Sequence, residues 1–287
     1  MPPTDPFTIT DKLDEALLQV IIARLETRAR HAFFARMLDE YLDAMAIDQA
    51  HTVLDIGCGT GVAARAIARR PAFVGHISAI DLSPTLLTAA ARFAAEEGVG
   101  QAITFLAGDT HSLNFPGGSF HAVIAHTLLS HVDDPLAVLK EVARVLRPGG
   151  MVAIFDGDYA SLTFGHANAE QGKAYEETLI AAVVNNPRVM RQLPRFLRAA
   201  GLELVAAFPH LLAEIGQADF WVSAIDMFQG LVPRSGTMTA AEIDAWAAAQ
   251  RQDSAEGIFF GASSFYSYIA RRAPTPYPDP PPTHTHT

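Results

Sequence analysis

The sequence predicts an α/β protein built on a mainly parallel sheet with crossover helices, and three observations carry that expectation. Between residues 52 and 159, short apolar runs alternate with segments whose apolar residues recur every three or four positions, the pattern of strands joined by helices. The first apolar run leads straight into glycines at 57, 59 and 61 and then into a helical pattern. An acid, Asp81, closes the second run just before Ser83-Pro84, a helix-start signal.

The elements follow in order. Leu13, Leu17, Val20, Ile21 and Leu25, then Phe34, Leu38, Leu42 and Met45, keep the helical period and predict one or two amphipathic helices ahead of the first strand. Strands are expected at 53–56, 76–81, 103–107, 121–126 and 151–156, with helices near 62–70, 84–97 and 135–146. The last of these should stop at Arg147-Pro148-Gly149-Gly150. Further on, helices are expected at 170–184, 188–200, 217–232 and 239–252, and strands at 202–208 and 258–271. The aromatic and β-branched content of 258–271 reads as an exposed or edge strand. The stretch 273–287 carries six prolines in its fifteen residues and no apolar periodicity, which predicts a disordered tail.

Composition narrows the function classes. The 287 residues hold 21 Lys+Arg against 31 Asp+Glu, a formal charge of −10, which disfavours nucleic acid and anionic membranes as partners. Hydrophobic residues make up 49% and charged ones 18%, enough for a substantial core. The single cysteine, Cys58, excludes an internal disulfide framework and a cysteine-rich zinc site, and no metal is expected. Residues 1–16 lack the basic and apolar regions of a secretory signal, and no run approaches the ~18 apolar residues of a membrane span. The expectation is a soluble, cytoplasmic protein, and a homodimer is among its expected assemblies.

The chemistry lies at the predicted strand ends. In Val53-Leu54-Asp55-Ile56-Gly57-Cys58-Gly59-Thr60-Gly61 the glycines allow a sharp turn and close approach to a ligand, while the following helix offers free N–H groups. This is the pattern of a nucleotide-cofactor loop. A dinucleotide fingerprint would place its third glycine at position 62, which is Val62 here. Asp81 has the chemistry to accept two hydrogen bonds from a ribose diol, and Asp109, in Gly108-Asp109-Thr110, to accept one from an exocyclic amine; turn formation is the plainer alternative for Asp109.

Together, VLDIGCGTG, Asp81, Ala107-Gly108-Asp109, the segment FHAVIAHTLLSHVDDP at 120–135 and Leu146-Arg147-Pro148-Gly149-Gly150 resemble the class I S-adenosylmethionine-dependent methyltransferases. The resemblance spans residues 50–160 and is nearest to the family of ubiquinone and menaquinone C-methyltransferases and small-molecule methyltransferases. It implies a Rossmann-like, seven-stranded, mainly parallel sheet with an antiparallel last strand. It further implies an N-terminal helical lid (1–50), a methyltransferase domain (51–272) and a substrate-side helical insertion between the last two strands (210–257). S-adenosyl-L-methionine is the implied cofactor. Asp55, Gly57, Cys58, Gly59 and Gly61 would form its loop, and Asp81 would hold the ribose. Leu82, Gly108, Asp109 and Thr110 would surround the adenine, and His126 with Thr127 would face the cofactor and the substrate opening.

Ala125-His126-Thr127-Leu128 replaces the Asp/Asn-Pro-Pro-aromatic run of amino-group methyltransferases, and Cys58 is misplaced for cysteine-dependent methyl transfer. The expected reaction is therefore methyl transfer to oxygen or carbon of a small hydrophobic or aromatic metabolite. An in-line displacement needs an aligned acceptor and, for a protonated nucleophile, a base. His126, His131, Asp156 and Tyr159 are the leading candidates for that chemistry, with Asp158 and His210 behind them. For His131 a structural role has the better odds, and Asp156 and Tyr159 have a satisfied turn as their plainer reading. Phe220, Trp221, Ala224, Ile225, Phe228 and Leu231 make an apolar helical stripe, read first as packing and second as an acceptor wall. The competing function is a protein of the same fold that binds S-adenosylmethionine without methylating, serving another reaction or an association role.

Overall fold

The computed structural model describes residues 5–274, so most of the proline-rich segment expected to be disordered lies outside the described residues. A short 3-10 segment, Pro6–Lys12, leads into α1 (Glu15–Arg30) and α2 (Ala32–Ala44). Then follow β1 (Thr52–Ile56), α3 (Val62–Ala68), β2 (His76–Asp81), α4 (Pro84–Glu96), β3 (Ile103–Ala107) and β4 (Phe120–His126). The chain continues through α5 (Pro135–Val145), β5 (Leu146–Phe164), α6 (Ala169–Val183), α7 (Val189–Ala199) and β6 (Leu202–Gly216). It ends in α8 (Phe220–Ser235), α9 (Ala240–Glu256) and β7 (Phe259–Arg272).

All seven strands form one sheet in the order β3-β2-β1-β4-β5-β7-β6. β7 runs antiparallel to both neighbours, and the remaining pairs are parallel. Alternation along each strand feeds two cores. Val53, Ile77, Ile124 and Phe155 join the core beneath α1–α4, α8 and α9, while Leu54, Ile80, Val123 and Ile154 join the one beneath α5 and α7. The helices start where their sequences say they should. Ser83 accepts the amide of Leu86 with Pro84 in the first turn of α4, and Asp134 does the same for Ala137 ahead of Pro135. After β1 the chain steps outward to β2 and β3 and then returns to pair β4 with β1, so a crevice opens at the carboxyl ends of β1 and β4.

Three sequence expectations need correction. β5 is 19 residues long and begins at Leu146, so the Arg147–Gly150 turn is drawn into its first, irregular pairing with β4, where the register shifts between Phe120 and Ala122. β6 runs on to Gly216 rather than ending at 208, because 209–216 pair with 259–266 of β7, and the insertion expected from 210 starts in mid-strand. β7 is not an edge strand: it lies between β5 and β6, and its aromatic residues serve buried positions such as Phe259 and Phe265. The edge is β6, which carries Pro209 and a register shift at Val205, two features that blunt an exposed strand.

Candidate functional site

At the crevice lies a cavity of about 310 Å³. Its β1–β3 side is the glycine turn. Gly57 and Gly59 adopt φ of 61° and 54°, which favours glycine, and a Cβ on Gly57 would also sit 2.5 Å from Leu128 Cδ1 and displace that side chain. Asp81, buried at the end of β2, accepts the amides of Gly59 (2.8 Å) and Ser83 (2.9 Å). It thereby ties the turn to the next strand, and a carboxylate accepting two such bonds still has lone pairs to offer a ligand. Leu82 beside it is an exposed apolar side chain on the cavity rim. Gly108, Asp109, Thr110 and His111 close this end, with Asp109 accepting from the His111 amide and pairing with its ring. Burial pushes the Asp109 carboxyl up, but those His111 contacts outweigh it and hold the carboxyl low.

Several polar atoms on the wall have no partner. Asp55 accepts one amide, from Ala64, through Oδ2, while its Oδ1 is buried and unpartnered; Thr60 Oγ1 and Thr127 Oγ1 are in the same condition. Burial raises the Asp55 carboxyl to about 7, against the Ala64 hydrogen bond and with the Asp81 charge adding to the rise. Thr127 also holds φ at 58°, a conformation that costs a non-glycine residue about 1 kcal/mol. Orphaned polar atoms around a glycine turn are what a polar, hydrogen-bonding cofactor would satisfy, so this wall fits the methionine and ribose parts of S-adenosylmethionine.

The opposite side is lined by Phe7, Arg24, Arg28, Phe34, His126, His131, Tyr159, Val183, Val184 and Met227, among others. His126 stacks at 4.7 Å on Phe155, and its Nδ1 is 2.9 Å from the Tyr41 hydroxyl. Burial, with the nearby Arg28 charge, drives its pKa down to about 3. His131 is held differently: Nδ1 lies 2.7 Å from Oδ2 of the buried Asp5, and its ring packs 4.6 Å from Phe7. Burial alone would lower the His131 pKa, but the Asp5 charge and hydrogen bond, with Asp156 behind, raise it above the ordinary value. Tyr159 is pushed up to about 12 by burial, against the charge of Arg28.

Of the residues singled out in the sequence, Gly61 and Asp156 do not line the cavity. Gly61 caps α3, facing Phe105 and Ala90. Asp156 is fully buried and spends its oxygens on the Ser130 amide and hydroxyl and the Gly157 amide. Cys58 lines the wall, its thiol pushed far up by burial and by the Asp55 and Asp81 charges, so it is unreactive there. Asp158 is taken by Arg191, and His210, on β6, sits 3.0 Å from Glu40 of α2. The α8 stripe is packing: Trp221 and Phe228 sit with Phe164 and Trp246, and from that helix Met227 reaches the cavity. His31, Glu214 and Asp219 gather outside the cavity, where Glu214 accepts the Asp219 and Phe220 amides at the start of α8. Sequence reasoning missed Asp5, Phe7, Thr8 and Thr10, which reach the site across more than a hundred residues of chain.

A sequence profile of the "Methyltransferase domain" family matches residues 54–154. A ubiquinone biosynthesis O-methyltransferase of Xanthomonas axonopodis pv. citri is 32% identical, over 58% of this chain and 68% of its own length. An uncharacterized 37.1 kDa protein in transposon Tn4556 of Streptomyces fradiae is 30% identical over 235 residues, 81% of this chain; the chain spans 66% of that relative's length. Among solved structures, the [4+2]-cyclase SpnF superimposes with a TM-score of 0.60 at 20% identity, over 95% of this chain and 98% of its own. The chain belongs to the class I S-adenosylmethionine-dependent methyltransferases.

Proposed function

We propose that the protein transfers a methyl group from S-adenosylmethionine to an oxygen or carbon of a small hydrophobic or aromatic metabolite. The observation that carries this reading is one cavity with two unlike walls: a glycine turn with unpartnered Asp55, Thr60 and Thr127 oxygens faces an apolar, aromatic wall that contains a histidine held by a carboxylate. The ubiquinone-biosynthesis relative, an O-methyltransferase by name, supports oxygen as the acceptor atom. The charge of −10 supports a small molecule over nucleic acid.

S-adenosylmethionine supplies an electrophilic methyl group on a sulfonium. Asp81 would hold the ribose hydroxyls with its remaining lone pairs. Leu82 would flank the adenine, and Asp109 with the Thr110 backbone would meet its edge. Gly57, Gly59 and Thr60 would take the methionine part. His131 is the base we assign. Its Nδ1 is committed to Asp5, which leaves Nε2 to take the proton from a hydroxyl acceptor. His126, with a pKa of about 3, stays neutral and serves as an aromatic, hydrogen-bonding wall anchored by Tyr41. Tyr159, with its pKa of about 12, is a donor.

The test is S-adenosylhomocysteine formation against a panel of phenols, quinols and enols, with cofactor binding followed by calorimetry. Asp81→Ala should weaken S-adenosylhomocysteine binding about 10- to 100-fold, the worth of one or two hydrogen bonds to a charged group. His131→Ala should keep that binding and lose turnover. No binding at all would sink the proposal, and tight binding without product across the panel would favour the non-methylating alternative.

A further inference from the structure

Arg24 and Arg28 lie one turn apart on α1, and both line the cavity. Arginines elsewhere are matched with acids: Arg65 with Glu26 and Glu97, Arg70 with Asp43 and Asp48, Arg144 with Glu141, Arg191 with Asp158. Arg24 and Arg28 make no ion pair among the described residues. Arg24 donates to the Ser223 hydroxyl and lies 4.4 Å over the Phe220 ring. Arg28 sits 4.5 Å over Phe34 and 5.6 Å from the rings of Phe155 and Phe265 and hydrogen-bonds the Tyr159 hydroxyl, while its Nε and Nη2 are shielded from solvent with no hydrogen-bond partner. Two neighbouring guanidiniums in an apolar, aromatic pocket are costly unless an anion joins them, since burial removes their hydration and each repels the other. Both effects show in Arg24, whose pKa falls to about 9 through burial first and the Arg28 charge second.

The place of these groups says which ligand carries the anion. Of the groups that line the cavity, Arg28 touches Phe34 of α2 and Tyr159 of β5, whereas the cofactor wall is built at the ends of β1, β2 and β3. We propose that Arg28, seconded by Arg24, receives a carboxylate on the methyl acceptor, so that the substrate is an organic acid with an apolar or aromatic body. Arginine suits the task because its planar fork meets a carboxylate through two parallel hydrogen bonds. Phe34 and Tyr159, which line the cavity with it, would pack the body beside it. This inference rests on the methyltransferase reading and narrows its substrate class.

The experiment uses the full chain saturated with S-adenosylhomocysteine, titrated calorimetrically with benzoate, cinnamate and decanoate and, in parallel, with the three corresponding amides. At least one carboxylate should bind ten times more tightly than its amide. Arg28→Met and Arg28→Gln should erase that preference while leaving S-adenosylhomocysteine affinity within twofold, and Arg28→Lys should restore part of it. Ligand-free Arg28→Met should melt higher than wild type, because a buried charge with two unmatched donors and no counter-ion is gone; a purely structural arginine would make it melt lower. Equal binding of acids and amides, binding by none of the six, a preference that survives Arg28→Met, or a lower melting temperature for that variant overturns the proposal. So does competition between the carboxylate and S-adenosylhomocysteine, which would give Arg28 to the cofactor. If S-adenosylhomocysteine itself fails to bind wild type, the methyltransferase reading falls, and the carboxylate preference is then read on the ligand-free protein.

Discussion

His131 and Asp5 make a pair whose consequences are measurable in two ways. The folded pKa of His131 lies above its unfolded value, so the pair stabilises the fold fully below about pH 6.5 and that contribution is lost as pH rises through the folded pKa. Melting curves of wild type and Asp5→Asn should therefore differ most near pH 5–6 and converge toward alkaline pH. As a base, His131 must be unprotonated, so kcat/KM should rise with pH through that same elevated pKa. Asp5→Asn should move this limb to lower pH and slow turnover about 100-fold or more, in keeping with the worth of a positioned base. Asp55 offers a second reading. With a pKa near 7 it is partly protonated in the ligand-free protein at neutral pH, and a cationic cofactor in the same cavity favours the carboxylate. Cofactor binding at pH 6–7 should release protons, seen as a dependence of binding enthalpy on buffer ionisation heat, and Asp55→Asn should abolish that release. Asp55 and the glycines were legible in the sequence because their signal is local: an apolar strand, a turn and a helix within a dozen residues. Asp5 was not, since its value depends on a partner 126 positions away.

At the level of elements, the parallel half of the sheet was readable because its strands are short, apolar and punctuated by helix caps such as Ser83 and Asp134. The β5-β7-β6 half was readable in part: β7, expected at 258–271, runs Phe259–Arg272, but β5 and β6 are 19 and 15 residues long and partly solvent-facing, so their apolar signal fades well before the pairing ends. Which of them forms the edge is settled by pairing partners rather than by composition. β6 as the edge has its own consequence. Pro209 cannot donate an amide to an incoming strand, and Leu204, Leu211 and Ile215 are exposed alongside it. Pro209→Val should restore the donor and increase self-association, visible in light scattering as a concentration-dependent rise in mass; an unchanged mass would show that the proline plays no such part. The apolar stripe on α8 reads correctly as a helix face, but its partners are Phe164 and Trp246 rather than a ligand, a distinction that no periodicity contains.

Across the whole molecule, no described helix is long and apolar enough to cross a membrane. The two cores take alternate residues of the same strands, and the cavity draws walls from the N-terminal segment, α1, α2, the glycine turn, the ends of β2–β4, β5, α6 and α8. A ligand there binds the folded state alone, so S-adenosylhomocysteine at a hundred times its Kd should add about 2.7 kcal/mol and raise Tm by roughly 5 °C. Phe7, Thr8 and Thr10 give the cavity part of its lining from the same segment that carries Asp5. Asp5 reaches His131 from a segment that also packs Phe7 on the imidazole and donates the Thr8 hydroxyl to the His131 carbonyl. One short stretch of chain thus serves both as cavity wall and as tether for the imidazole, so a substitution that loosens it should cost the cavity part of its lining and His131 its carboxylate together.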